Sequence, residues 1–258
     1  MRRLLVTGGS GFLGRRVLAA ASGAGFDAVG TTHTAPGMRM DLADPASVRA
    51  VVDAVRPDAV VHTAYLQHGP SRDAVIVDGT AALASACARH GARLVHVSTD
   101  LVFSGTLGRP YRESDEPDPI DGYGAAKRRA ELAAAAACPD SLAVRTSLLL
   151  GGRLAPGKIE TAVADPTLTF WTDVLRSPTS ADDLATALVE LVDAELTGVL
   201  HVCGADEVSR AELAEVVAGR PVRTGLAPVG VPLDCRMDCS LAASVLATPV
   251  RGLRALWG

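Results

Sequence analysis

The chain has 258 residues, a length suited to one α/β domain or to one domain plus a small lobe. Hydrophobic residues make up 48% and aromatics 3%, so a full core is expected, built from small and branched side chains with alanine and valine foremost. A formal net charge of −4 without a basic cluster argues against nucleic acid or an anionic membrane as the main partner, and no apolar run approaches the roughly 20 residues that span a bilayer.

The predicted elements alternate. Leu4-Leu5-Val6 reads as a first strand, followed by a glycine turn and a helix through Arg15-Arg16-Val17-Leu18-Ala19-Ala20-Ala21. Met1-Arg2-Arg3 leads straight into that strand rather than into the apolar core of a signal peptide, so a cytoplasmic protein is expected. Strands follow at 27–32 and 38–41, a helix from Ala46 to Val55 ended by Arg56-Pro57, a buried strand at 58–64, and a helix from Arg72 to His90 closed by Gly91. Next come a strand at 93–98, an alanine-rich helix from Tyr123 to about Ala137 and a strand at 142–147. Such βαβ alternation predicts an α/β fold with a doubly wound parallel sheet and right-handed crossovers. The pattern weakens from Gly151 to Arg176, which reads as mixed and loop-like. It resumes with a helix at 181–194, a strand at 198–202 and a helix at 209–218, with Ser209 as N-cap and Glu212 in the capping-box position. Pro221, Pro228, Pro232 and Pro249 punctuate the tail. Residues 1–150 are therefore expected to form a Rossmann-type nucleotide-binding domain and 151–258 a smaller substrate lobe, the chain being free to interleave between them.

Two constellations carry chemistry. Glycines at 8, 11 and 14 join the first strand to the first helix: Gly8 permits the tight turn, Gly11 lets the backbone approach phosphates, and Gly14 lets helix and strand pack closely. The free N–H groups and positive end of that helix then face an anion, although a glycine turn alone is also compatible with mere flexibility. Tyr123 and Lys127 stand four residues apart at the start of a helix, on one face. A nearby ammonium stabilises phenolate and draws a tyrosine pKa down from about 10, so such a tyrosine can give a proton to a carbonyl oxygen as hydride arrives at its carbon. A surface helix can carry the same pair by coincidence. Ser98-Thr99 at the end of the intervening strand favours the functional reading, because ligands bind at the carboxyl ends of such strands.

The segment Val95-His96-Val97-Ser98-Thr99-Asp100-Leu101-Val102-Phe103-Ser104-Gly105 resembles a signature of extended short-chain dehydrogenases/reductases, and more narrowly that of the dTDP-4-dehydrorhamnose reductase group. Pro110 to Pro117, Pro119 to Lys127, Arg145-Thr146-Ser147 and Ser177 to Ala185 are similar to further landmarks of that group, so the resemblance runs through nearly the whole chain. It implies a Rossmann-type domain with a small C-terminal substrate-binding lobe and a Thr-Tyr-Lys triad. In that triad Tyr123 is the proton donor, Lys127 binds the nicotinamide ribose and tunes Tyr123, and Thr99 bonds the substrate carbonyl. It further implies cofactor contacts from Gly8, Gly11, Phe12, Leu13 and Gly14 at the pyrophosphate, from Asp41 and Leu42 at the adenine, and from Thr63, Ala64 and Tyr65 along the cofactor's middle. Asp41 can equally be a turn or helix-entry carboxylate. Thr32 and His33 end the second strand, where no acid stands to bind a ribose 2′-hydroxyl, so NADP(H) is expected over NAD, with Arg39 a candidate for the 2′-phosphate.

The expected activity is an NAD(P)H-dependent ketoreductase, an oxidoreductase acting on a 4-keto-6-deoxy nucleotide sugar or a related small ketone, with Thr99, Asp100, Leu148 and Trp171 toward the substrate. A homodimer is one arrangement open to it. The chain departs from the group at Leu101 and at Leu148-Leu149-Leu150-Gly151, where relatives carry aromatics, so its pocket should be more aliphatic. The segment from Gly157 to Pro178 is several residues short, and Asp78 and Asp121 replace asparagines. Two alternatives stay open. One is a non-catalytic NADP-binding partner protein similar to the regulatory beta subunit of methionine adenosyltransferase. The other is a tailoring epimerase, dehydratase or reductase on a non-sugar substrate.

Five cysteines at 87, 138, 203, 235 and 239 are scattered, and Cys235-x-x-x-Cys239 has no second ligand pair, so reduced thiols and no metal are expected. His62, His96 and His201 fall in strand patterns and read as core groups. Asp182-Asp183 compensates a helix N-terminus, and Trp171 and Trp257 anchor the smaller lobe, Trp171 with a chance of touching ligand.

Overall fold

The computed structural model describes residues 1–152 and 156–258; residues 153–155, inside the stretch expected to be loop-like, lie outside the described residues. The first half runs β1 (Arg3–Thr7), α1 (Phe12–Gly23), β2 (Asp27–Thr32), β3 (Met38–Arg39), α2 (Pro45–Val55), β4 (Ala59–His62), a π-helical turn at Ala74–Asp78, α3 (Gly79–His90), β5 (Arg93–Thr99), a 3₁₀ turn at Asp100–Val102, α4 (Gly122–Ala137) and β6 (Leu142–Thr146). The second half adds β7 (Leu149–Leu150), α5 (Lys158–Ala162), β8 (Phe170–Trp171), β9 (Leu175–Arg176), β10 (Thr179–Ser180), α6 (Ala181–Glu190), β11 (Gly198–His201), β12 (Val208–Ser209), α7 (Arg210–Ala218), β13 (Thr224–Gly225), α8 (Ser240–Val245) and α9 (Leu253–Trp257).

Seven strands form one sheet in the order β11-β6-β5-β4-β1-β2-β3. The pairs β1–β2, β1–β4, β2–β3 and β4–β5 are parallel. Its inner strands are apolar on both faces, with Leu4, Leu5, Val6, Val60 and Val61 fully buried, as a sheet covered on both sides requires. Each such side chain contributes about 1.5–3 kcal/mol on burial. Val48, Val51, Val52 and Val55 of α2 and Leu83, Ala84, Ala86 and Cys87 of α3 join Leu5, Val60 and Leu94 in one core cluster. This is the Rossmann arrangement: the strand order reverses beside β1, and the glycine turn sits at that switch point.

Two compact units are resolved, and neither is one stretch of sequence. The first comprises Met1–Ser98, Ala125–Val144 and Ala185–Val199; the second comprises Thr99–Gly124, Arg145–Leu184 and Leu200–Gly258. Apolar clusters among the described residues of the second unit include one around Phe103, Tyr111 and Cys235, one around Leu150, Leu213 and Leu253, and one around Phe170 and Ala214.

Several elements differ from the sequence reading. β3 stops at Arg39, because Asp41 turns the chain, its carboxylate accepting from Ala43 N at 2.9 Å and its own N–H donating to Ser47 Oγ at 3.0 Å. β4 stops at His62, because Thr63 and Ala64 bond side-on to Thr7 instead of continuing the ladder. The helix expected from Arg72 opens as the π turn before α3, and Gly79 at the junction packs where a Cβ would stand 2.6 Å from the Leu42 carbonyl oxygen. α6 ends at Glu190 rather than at 194. The loop-like stretch holds α5, β8 and β9, short pieces too brief to leave a periodic pattern. Ser209 caps α7, accepting from Glu212 N at 3.0 Å. The Glu212 carboxylate bonds Arg254 at 2.7 Å, so only the Ser209 half of the expected capping box is formed by the bonds seen.

Candidate active site

In the first unit the glycine turn closes on itself, with Gly11 N donating to Gly8 O at 2.8 Å. Gly8 takes φ +69°, which favours glycine, and a Cβ there would press on Ala64 at 3.0 Å. A Cβ on Gly14 would stand 2.1 Å from Gly8 O, so helix and turn touch backbone to backbone. Gly11 is the N-cap of α1 and offers no side-chain acceptor, which leaves the first-turn N–H groups directed at the turn. Residues and shape fit a dinucleotide pyrophosphate, which the backbone N–H groups of 12–14 and the positive helix end would hold. Phe12 is half-buried under the Arg16 guanidinium at 4.1 Å, and Leu13 is buried.

A directed chain of hydrogen bonds backs this turn. Ala64 N donates to Thr7 Oγ1 at 3.3 Å, and Thr80 Oγ1 donates to Ile76 O at 2.5 Å. Thr80 Oγ1 is thereby left to accept from His62 Nε2 at 3.0 Å, and His62 Nδ1 to accept from Thr7 Oγ1 at 2.6 Å. Thr63 Oγ1 donates to Thr7 O at 2.7 Å. Thr63 and Ala64 are thus fixed against the glycine turn, while Tyr65 beside them is 48% exposed. Burial holds His62 neutral, its pKa pushed down to about 3, with the Lys127 charge acting the same way. His96 stacks on His62 with ring centroids 5.1 Å apart and is likewise driven well down by burial. Its two ring nitrogens have no hydrogen-bond partner among the described residues.

At the end of β2, Thr32 Oγ1 accepts from Ala35 N at 2.9 Å and from Ser10 Oγ at 3.3 Å, and His33 is exposed. Arg39 lies opposite Thr32 in the β2–β3 register and is also exposed. Asp41 is half-buried and forms the turn described above, and Leu42 is buried in the core with α2 and α3.

Lys127 is 3% exposed, and its Nζ donates to Val97 O at 2.5 Å. Burial brings its pKa down from 10.5 to about 8, against the opposing pull of Glu131. Glu131, one turn further along α4 and 4% exposed, accepts from Ser98 Oγ at 2.5 Å and from Arg128 at 3.2 Å. Tyr123, Lys127 and Glu131 therefore recur at four-residue spacing along one helix. Glu131 was missed in the sequence reading, although that spacing is its signal.

The second unit contains the first turn of α4. Asp121 Oδ1 accepts from Gly124 N at 2.6 Å, an N-cap, and a Cβ on Gly124 would stand 1.9 Å from Leu101 O. Half-buried Tyr123 directly precedes Gly124, whose backbone is seated against the turn that follows Thr99. Thr99 Oγ1 accepts from Leu101 N at 3.2 Å and donates to Asp100 Oδ1 at 3.1 Å. Asp100 is 4% exposed; it also accepts from Ser147 Oγ at 2.6 Å and faces Arg176 Nε at 3.4 Å. Burial raises its pKa, and Arg176 is the largest opposing influence. Arg176 in turn donates to the carbonyls of Leu175, Pro232 and Leu233. Nothing in the sequence marked Arg176 as the partner of Asp100. Leu148 is half-buried against the Leu150 cluster, and half-buried Trp171 lies 6.0 Å from the Arg210 guanidinium. His201 is a core group, its N–H bonded to Glu113 and its ring to Tyr111 O. Among the described residues no cluster of three or more His, Cys, Asp or Glu is placed to hold a metal, and no helix is long and apolar enough to cross a membrane.

Residues 1–229 match the family described as RmlD substrate binding domain. The chain is 36% identical over 225 residues to a dTDP-4-keto-6-deoxy-D-glucose reductase from Streptomyces niveus, covering 83% of this chain and 77% of that one. It is 36% identical over 231 residues to dTDP-4-dehydrorhamnose reductase from Mycobacterium tuberculosis, covering 81% and 72%. Among solved structures, one described as a hypothetical dTDP-4-dehydrorhamnose reductase from Sulfolobus tokodaii superposes with a TM-score of 0.84 at 28% identity over 96% of each chain. A dTDP-4-dehydrorhamnose reductase from Bacillus anthracis, solved in complex with NADP, gives 0.83 at 24% identity over 96% and 95%. With its cradle, its Tyr-Lys helix and this breadth of similarity, the chain belongs to the dTDP-4-dehydrorhamnose reductase family of extended short-chain dehydrogenases/reductases.

Proposed function

We propose that this chain reduces the ketone of a 4-keto-6-deoxy nucleotide sugar, with Tyr123 as proton donor, Lys127 as its tuning cation and Thr99 as the carbonyl's second hydrogen-bond donor. The observation that carries the reading is the buried Lys127, anchored on Val97 one helical turn from Tyr123 in a family whose relatives are named as reductases of such sugars. A bound nicotinamide would supply the hydride. Tyr123 gives its hydroxyl proton to the oxygen that gains charge, and the Lys127 ammonium lowers the cost of the phenolate left behind. Thr99 reaches the same oxygen by turning its hydrogen away from Asp100; the bonds of Asp100 to Ser147 and Arg176 keep that carboxylate in place meanwhile. Asp100 thus acts on the substrate through Thr99.

NADPH is favoured over NADH. No carboxylate ends β2, and Arg39 stands beside Thr32 where a 2′-phosphate would lie. The test is oxidation of NADPH and of NADH, followed at the nicotinamide absorbance, with a panel of dTDP-4-keto-6-deoxyhexoses. Faster oxidation of NADPH on at least one sugar is expected. Binding of both cofactors without oxidation on any member overturns the reading.

Lys127 sets the pH dependence. Between about pH 8 and its ordinary value the folded chain has released a proton that the unfolded chain still holds, so this group makes stability rise with pH across that window. Activity moves the other way, because the ammonium is the working form. A kcat/KM profile from pH 6.5 to 9.5, with buffers chosen to hold ionic strength, is expected to fall above about pH 8. A rate that climbs steadily to the top of that range contradicts the role given to Lys127.

A further inference from the structure

Cys203 follows β11 and is 5% exposed; Cys239 precedes α8 and is half-buried. Their sulfurs stand 2.6 Å apart, though 36 positions separate them in sequence. That is closer than two unbonded sulfurs ordinarily rest, so the backbone already holds the two side chains at bonding approach. Both line an open cavity of about 920 Å³ within the second unit, together with Ser177, Met237 and Asp238, which gives a small molecule room to reach Cys239. Cys203 Sγ lies deeper, 3.8 Å from Met237 O. Contact with Cys239 and burial hold the Cys203 thiol well above its usual value, and Cys239 is the sulfur nearer the solvent. Cys235 is fully buried, its thiol turned to Phe103 O at 3.5 Å and pushed up to about 12 by burial. The sequence spacing Cys235-x-x-x-Cys239 thus does not identify the partner of Cys239.

We propose that Cys203 and Cys239 form a thiol pair that closes to a disulfide by exchange with a small-molecule disulfide of the glutathione type. The Cys239 thiolate attacks one sulfur of the reagent; the reagent's S–S bond breaks, and its second half leaves as a thiolate that takes up a proton. Cys203 then gives up its proton and attacks the Cys239 sulfur of the mixed disulfide, expelling the other half as a second thiol. Two protein thiols are oxidised, one reagent disulfide is reduced to two thiols, and no further reactant is consumed. The bond ties the segment after β11 to the start of α8 and constrains the unfolded chain across that interval.

The test treats the full chain with oxidised glutathione, blocks remaining thiols, digests without reduction and maps the peptides by mass spectrometry. One cross-linked pair joining Cys203 to Cys239 is expected, with a thermal midpoint raised by roughly 5 °C and restored by dithiothreitol. Cys203→Ser under the same treatment is expected to retain one glutathione on Cys239, and Cys239→Ser none on Cys203. Recovery of both cysteines as separately blocked thiols in the wild-type chain, or a cross-link to Cys235 instead, overturns the proposal. Neither readout involves keto-sugar turnover, so the pair stands or falls independently of the reductase reading.

Discussion

Tyr123→Phe is expected to lower kcat about 10²–10⁴-fold, the range a positioned general acid supplies, while the Kd for NADPH stays within about twofold of the wild type. The phenyl ring keeps the packing of the first turn of α4, which Asp121 caps and Gly124 seats against Leu101 O, so the variant loses a proton and little else. Stopped-flow reduction of a keto sugar and fluorescence titration of NADPH measure the two quantities on one preparation. A variant that turns over at the wild-type rate removes Tyr123 from the chemistry. A variant that loses NADPH binding as well shows instead that the hydroxyl helps to build the cofactor site.

The second large effect lies in the cradle. Gly14→Ala places a methyl 2.1 Å from Gly8 O and 2.8 Å from its carbonyl carbon. Neither atom belongs to a flexible side chain, so the turn itself has to move. Gly8 cannot retreat freely, being packed on Ala64, which the Thr7–His62–Thr80 chain holds in turn. The strain costs about 1–3 kcal/mol of stability, and a turn opened by even a few tenths of an ångström spoils its aim at the pyrophosphate. The expected result is a Kd for NADPH at least about tenfold weaker, equivalent to 1.4 kcal/mol, with a lowered thermal midpoint. Unchanged affinity and midpoint would mean that α1 and the turn are not in the contact described.

How much of this was readable from the residues depends on distance along the chain. The glycine turn is a local device, in which spacing alone dictates a strand, a turn and a helix end, and the backbone follows it. The Tyr123–Lys127 pair was readable for the same reason, since helical spacing converts four positions into one face. The central sheet announced itself through apolar runs buried on both faces. Long-range partnerships left no such trace. Asp100 meets Arg176, Ser98 meets Glu131 and Cys203 meets Cys239 only once the chain has folded. The two-residue strands β7 to β9 are too short for any period to register. Asp41 shows the limit from the other side: its carboxylate is engaged in a turn with Ala43, a use the sequence had left open beside adenine contact.

The order in which the segments are made has its own consequence. The glycine turn, β4 and the Thr80 that backs them are in place once position 80 has been synthesised. The first unit, however, takes its last segment from Ala185–Val199, the stretch that starts β11 at the sheet's outer edge. A growing chain on the ribosome therefore carries a nearly finished nucleotide cradle beside an open strand edge on β6 until most of the second unit has emerged. At the roughly 5–20 residues per second of synthesis, that edge waits for several seconds, the interval in which a chaperone or a neighbouring nascent chain has access to it.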